Sequence, residues 1–250
     1  MAKAAVMTDE TSWIPLLAEA VTRHKTLPPL PPGLTETEGY QLARRLAEAV
    51  AGDQAHCGLK AGLTDPRIQN HLGLKEAMLG HLYPNRRLEP GGRLCPRGKA
   101  MIECELAVFV DAGGRPLSVA PALEFVNVDF ARPEDLTPPN LAAINLGADA
   151  FMVGETRPWD DAALASLDSA RIQLYREDEL LLDVPANTSL GGAAEASRWM
   201  LDKARRLGWS LSDETLLMTG TVGKPLAFVP GLYRADYGPF GSVSFTIDDQ

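Results

Sequence analysis

Glu103 and Glu105 stand two residues apart in a run, 101–110, whose other members are those of a buried strand: Met101, Ile102, Cys104, Leu106, Ala107, Val108, Phe109 and Val110. Successive strand side chains point to opposite faces, so the two carboxylates share one face while Ile102, Cys104, Leu106, Val108 and Val110 line the other. Glu124 sits in a second apolar run, 120–126. Anions crowded on a half-buried surface repel one another and resist desolvation, and a hard divalent cation neutralises them directly. Glutamates at alternate strand positions more commonly mark a solvated sheet face. The apolar setting of both runs argues for the cation here. Three carboxylates without a His-rich or Cys-rich cluster suit Mg2+ or Mn2+ better than Zn2+.

The elements that must position these acids are legible in outline. Residues 11–24 carry Trp13, Ile14, Leu16, Leu17, Ala20 and Val21 at helical spacing, and the Pro-rich 28–32 stretch is expected to stop that helix. Thr35 and Glu38 form a capping-box pattern ahead of a second helix with Tyr40, Leu42, Ala43, Leu46, Ala47 and Val50. The 58–64 segment, Gly-Leu-Lys-Ala-Gly-Leu-Thr, is expected as a glycine-bracketed turn holding Lys60, followed by a short helical piece over 66–72. Strands are predicted at 101–110, 118–126, 149–154, 169–176, 179–184, 214–219, 225–229, 232–237 and 240–247. One inserted helix is predicted over 192–207, with Ala196, Trp199, Met200 and Ala204 on one side and Gly208 as its stop. The expectation is an α+β fold: an N-terminal helical cap over 1–95 and a curled, barrel-like mixed β core over 96–250 with the inserted helix, the two forming one compact unit.

With 250 residues, 45% apolar and 23% charged, the chain has ample material for a core, and its formal charge of −9 argues against nucleic acid or an anionic membrane as partner. Residues 1–9 lack the apolar centre of a signal peptide and no run reaches membrane-spanning length, so a cytoplasmic location is expected. Cys57, Cys95 and Cys104 show no metal-type spacing, and their odd number implies free thiols. His24, His56, His71 and His81 are scattered and suggest packing or surface roles.

Read in order, several short motifs resemble the hydratase and decarboxylase branch of the fumarylacetoacetate hydrolase superfamily. They are the 58–64 segment with Leu72-Gly73, the 102–107 and 121–124 segments holding the glutamates, and Asn145 ahead of Phe151-Met152-Val153-Gly154. The Trp199 helix, Leu217-Met218-Thr219-Gly220-Thr221 and Gly238-Pro239-Phe240-Gly241-Ser242 complete the series. The resemblance implies a fumarylacetoacetate hydrolase-like core, Glu103, Glu105 and Glu124 as ligands of one Mg2+ or Mn2+, and Lys60 as the active-site lysine. It also points to Leu63, Asn145, Thr219 and Gly220 as substrate-binding positions. The reaction implied is hydration of a 2-hydroxy-2,4-dienoate, of the 2-keto-4-pentenoate type, to a 4-hydroxy-2-keto acid in the catabolism of aromatic compounds. Decarboxylation of a 2-oxo-3-enedioate, with Arg67, Arg86 or Arg97 holding the second carboxylate, and acylpyruvate hydrolysis are the alternatives. A different class is a catalytically altered binding protein that stabilises a pathway enzyme. A homo-oligomer is implied, and Trp and Phe residues of the C-terminal portion would suit a contact surface.

The chain departs from that pattern in four places. Met78 stands where relatives carry an acid, with Glu76 close by; only Asp111-Ala112-Gly113-Gly114-Arg115 and a brief link separate the two glutamate strands; Asn127-Val128-Asp129 replaces an arginine-bearing sequence; and Ile144 replaces an acid.

Overall fold

The first helix, α1 (Glu10–Thr22), stops short of its expected end, because His24 already takes a left-handed φ of 51° before the prolines begin. The second, α2 (Glu36–Ala51), starts as its sequence signal demands: the Thr35 hydroxyl accepts from the Glu38 N–H, and the Glu38 carboxylate accepts from the Thr35 N–H at 2.8 Å. The structure, a computed structural model, describes residues 10–52, 58–95 and 98–249. Residues 1–9, His56, Cys57 and Arg97 lie outside them.

After α2 come β1 (Gly58–Gly62), α3 (Pro66–Leu72), β2 (Met78–His81), β3 (Arg87–Leu88), β4 (Arg93–Leu94), β5 (Ala100–Val110) and β6 (Pro116–Asn127). Then follow α4 (Pro138–Ala143), β7 (Ala148–Val153), β8 (Arg157–Pro158), α5 (Asp161–Ser169), β9 (Arg171–Arg176) and β10 (Glu179–Pro185). The chain finishes with α6 (Ala193–Arg206), β11 (Thr215–Met218), β12 (Leu226–Ala227), β13 (Gly231–Asp236) and β14 (Ser242–Ile247).

Two mixed sheets result. The first runs β2-β1-β11-β5-β6-β7-β3, with β12 added on β5 and β8 on β6; the second runs β10-β9-β13-β14-β4. One face of the first sheet carries Leu59, Cys104, Leu106, Leu123, Phe125 and Met152 into the main core, against Leu174, Tyr233 and Phe245 of the second sheet and Met200 of α6. Across the other face the sheet curls. Leu82, just beyond β2, shares one apolar cluster with Phe151 and Val153 of β7, although many strands separate them along the sheet. The curl does not close into a barrel among the described residues, which qualifies the barrel-like expectation. Helices α1, α2 and α4 form the cap, joined through Leu17, Leu46, Leu141 and Ile144.

Three expectations need correction. The 58–64 segment is not a turn: β1 is a buried strand hydrogen-bonded to β2 and β11. Its glycines serve close approach, since a Cβ on Gly62 would lie 2.7 Å from Leu146 Cδ1. The single inserted helix is joined by α4 and α5; the latter precedes β9 and starts where the Asp160 carboxylate accepts from the Ala163 N–H at 2.8 Å. The C-terminal aromatics Phe240 and Phe245 are buried in the core rather than displayed.

Candidate metal centre

Strand register assembles the site. The link at 111–115 is a tight hairpin turn in which Asp111 Oδ1 accepts from the N–H groups of Gly113 and Arg115 at 3.0 and 2.9 Å. Folding β5 directly back on β6 places Glu103 opposite Glu124 and Glu105 opposite Ala122. The short connection is therefore what makes two of the acids neighbours. On β1, Lys60 lies opposite Gly80 of β2 and Met218 of β11, and Met218 lies opposite Ala107 of β5. Lysine and glutamates thus share the inner face of the curl, with the Leu82, Phe151, Leu216 and Met218 cluster beside them.

One oxygen from each of Glu103, Glu105 and Glu124 lies within 4.8 Å of the others. Lys60, Glu105 and Glu124 are 1%, 0% and 0% exposed. Lys60 Nζ stands 2.8 Å from Glu124 Oε1 and donates to the Leu146 carbonyl at 3.4 Å. Glu105 Oε2 accepts from the Gly220 N–H at 2.9 Å. Glu105 Oε1 and Glu124 Oε2 accept no hydrogen bond from the protein, and buried oxygens in that state are costly.

The charges do not balance. Two like charges 4.8 Å apart repel by about 3 kcal/mol at an effective dielectric near 20, and one ammonium faces three carboxylates. Burial, then the charges of Glu124 and Glu103, push the Glu105 carboxyl well above its usual range, with Lys60 and the Gly220 N–H opposing. Burial likewise pushes Glu124 up to about 7, against Lys60 and with Glu103. Burial favours a neutral Lys60, but the three glutamates outweigh it and hold the ammonium above its ordinary value.

The substrate positions named from the sequence have mixed fates. Thr219 and Gly220 do reach the centre, in a segment that runs alongside β5. The Thr219 hydroxyl donates to Leu106 O at 3.1 Å and the Gly220 N–H is taken by Glu105, so neither donor is left for a ligand. Asn145 is fully buried and its amide is spent on the frame: Oδ1 accepts from the His81 N–H at 2.8 Å, while Nδ2 donates to Ala43 O at 2.9 Å and the Tyr83 hydroxyl at 3.1 Å. Leu63 takes a φ of 53° directly after β1 and is half-buried against the cap cluster.

Among the distal candidates, Met78 is buried in the cap cluster. Glu76 faces α6, accepting from Trp199 Nε1 at 3.1 Å, Lys203 Nζ at 3.0 Å and Arg206 Nη2 at 2.8 Å. Arg67 pairs with Asp65, and Arg86 contacts His24 and donates to Val21 O. None of them is paired with Lys60 or the glutamates. Sequence reasoning missed the Leu146 carbonyl, delivered by a turn in which Asn145, Leu146 and Gly147 all have positive φ.

A curled mixed sheet with buried carboxylates and a lysine on its inner face is what this α+β fold presents. No protein-family description matches this chain. A 2-keto-4-pentenoate hydratase from Paraburkholderia phymatum is 25% identical over 249 residues, covering 91% of this chain and 93% of the relative. The solved 4-oxalocrotonate decarboxylase from Pseudomonas putida G7, complexed with magnesium and adipate, has a TM-score of 0.82 and 17% identity, covering 98% of this chain and 100% of its own. A fumarylpyruvate hydrolase from Pseudomonas aeruginosa, in complex with Mn2+ and pyruvate, gives a TM-score of 0.57 at 14% identity, covering 77% and 89%. The chain thus resembles the hydratase and decarboxylase branch of the fumarylacetoacetate hydrolase superfamily. Among the described residues no helix is long and apolar enough to cross a membrane.

Proposed function

We propose that the protein is a divalent-metal-dependent lyase that hydrates a 2-hydroxy-2,4-dienoate to a 4-hydroxy-2-keto acid. The observation that carries this reading is the charge deficit: three buried carboxylates and one ammonium, with Glu105 Oε1 and Glu124 Oε2 lacking any donor. Hard oxygen ligands of that kind fit Mg2+ or Mn2+, and the solved neighbours hold magnesium with adipate, calcium with acetate and Mn2+ with pyruvate. When bound, the cation would supply Lewis acidity to the carboxylate and C2 oxygen of a chelating 2-oxo acid.

The remaining roles fall to the chain. Lys60, held as an ammonium between Glu124 and the Leu146 carbonyl, keeps a proton at Nζ and offers it, or its charge, to a substrate oxygen. Glu103, Glu105 and Glu124 hold the ion. Thr219 and Gly220 fix Glu105, Asn145 fixes the turn that supports Lys60, and Leu63 is assigned to the substrate tail on the family resemblance alone. The apolar cluster of Leu82, Phe151, Leu216 and Met218 keeps bulk water from that side of the centre. A cytoplasmic homo-oligomer serving aromatic catabolism is part of the same reading.

Met78 favours one alternative in the same class. No acid stands at that position to activate water, and decarboxylation of a 2-oxo-3-enedioate needs no activated water. The test is the ultraviolet absorbance of a 2-hydroxy-2,4-dienoate mixed with purified protein and Mg2+ or Mn2+. We expect loss of absorbance faster than spontaneous ketonisation, abolished by EDTA and reduced at least about 100-fold in Lys60→Ala. No metal-dependent change sinks the hydratase reading, and carbon dioxide release from an enedioate moves the assignment to the decarboxylase.

A further inference from the structure

Ser189 lies outside every motif that resembles the family, yet it is buried and touches the peptide that holds Glu105. Its hydroxyl donates to the Thr219 carbonyl at 3.0 Å, and the N–H of the same peptide unit, that of Gly220, donates to Glu105 Oε2 at 2.9 Å. One peptide plane is therefore gripped at both ends. It cannot turn without breaking a buried bond. The packing around it leaves little play: Gly220 has a φ of 91°, and a Cβ there would lie 2.5 Å from Thr64 Cγ2 and 2.9 Å from Ser189 Oγ. Ser189 is itself anchored, since its carbonyl accepts from the Gly192 N–H at 2.8 Å at the start of α6.

The consequence lies in which carboxylate oxygens remain. Oε2 of Glu105 already accepts from Gly220, which makes Oε1 its readier ligand; Oε1 of Glu124 is ion-paired with Lys60, which makes Oε2 the readier one there. Ligands restricted to one oxygen suit a small octahedral cation. Ca2+ takes six to eight oxygens and commonly recruits a carboxylate through both.

We propose that Ser189 is a positioning residue which, through the Thr219–Gly220 peptide, confines Glu105 to one-oxygen ligation and so biases the centre toward Mg2+ or Mn2+ over Ca2+. This rests on the metal-centre reading above. It is tested by titrating metal-free protein with Mn2+ and with Ca2+ in a calorimeter, for the parent chain, Ser189→Ala, Ser189→Thr and Ser197→Ala. Ser197 is an equally buried serine whose hydroxyl donates to Ala193 O within α6, so its variant reports general loosening of the fold. Freed from its restraint, Glu105 in Ser189→Ala should lose about tenfold in Mn2+ affinity and no more than about twofold in Ca2+ affinity. Ser189→Thr, which keeps the hydroxyl, should restore the parent's ratio, and Ser197→Ala should leave it unchanged. Unchanged Mn2+ binding in Ser189→Ala, or equal losses for both ions, overturns the inference while leaving the metal centre standing. A parent chain that binds neither ion removes the centre and the inference together.

Discussion

Among the described residues two knots of charge, one buried at the glutamate trio and one half-exposed at Glu76, are built on opposite accounts of sign. At Glu76 one carboxylate receives Trp199, Lys203 and Arg206; although burial acts against it, those hydrogen bonds hold its carboxyl down at about 2. At the glutamate trio one ammonium serves three carboxylates, and Glu105 and Glu124 are driven up instead. The Glu76 knot is complete and fastens α6 to the segment preceding β2. The trio has more anions than donors, the deficit that the proposed cation would fill. Acidity alone marks neither a ligand site nor a structural pin; the ratio of anions to donors separates them.

The largest expected effect comes from removing one anion of the trio. Glu105→Gln should weaken Mn2+ binding by about 100-fold or more, read by calorimetry. It should also leave the metal-free protein at least as stable as the parent, because glutamine imitates the protonated acid that burial favours. A variant that binds Mn2+ normally, or collapses without metal, would erase the contrast.

The pH dependence should differ in direction between the knots. The upward shifts of Glu105 and Glu124 mean the folded protein holds their protons more tightly than the unfolded chain. The stability they contribute is complete below 4.5 and is lost as pH rises through the folded values, about 7 for Glu124. Glu76 is shifted the other way, so its contribution is present above 4.5 and is lost only as pH falls toward about 2. Thermal melts in EDTA should therefore show the metal-free protein weakening from pH 4.5 to above 7, with Mn2+ restoring it most at the alkaline end.

The smallest effect is expected from Glu76→Gln. Loss of the charge facing Lys203 and Arg206 should cost about 1 kcal/mol in denaturant unfolding and leave Mn2+ affinity within about twofold. A larger change in affinity would show that the two knots act as one.

The trio was legible in the sequence because a strand's alternation exposes any charge placed among apolar residues, and 101–110 and 120–126 are long enough to show it. The inserted helix and the capping box at Thr35 were legible for the same local reason. Lys60 was found in the wrong setting. Gly58 and Gly62 look like punctuation, whereas here they admit Leu82 and Leu146 against a strand, a tertiary demand that local pattern does not carry. Nothing in the sequence around Asn145 announces that Ala43, His81 and Tyr83 converge on its amide from far along the chain. Helix α5 carries a local signal as well, Asp160 before an alanine-rich stretch.

The five-residue bend at 111–115 carries one more implication, for how this lineage can change length. Glu103 meets Glu124 because the two arms are counted from that bend, with one irregularity between Phe109 and Val110 already in the count. One residue added within either arm would invert the in-and-out order of all that follows, or bulge to absorb it, and the acids would part company. Residues added at the bend itself leave the count untouched. Insertions among descendants should therefore gather at 112–114 and spare the arms, a pattern imposed by the pleat rather than by the chemistry it serves.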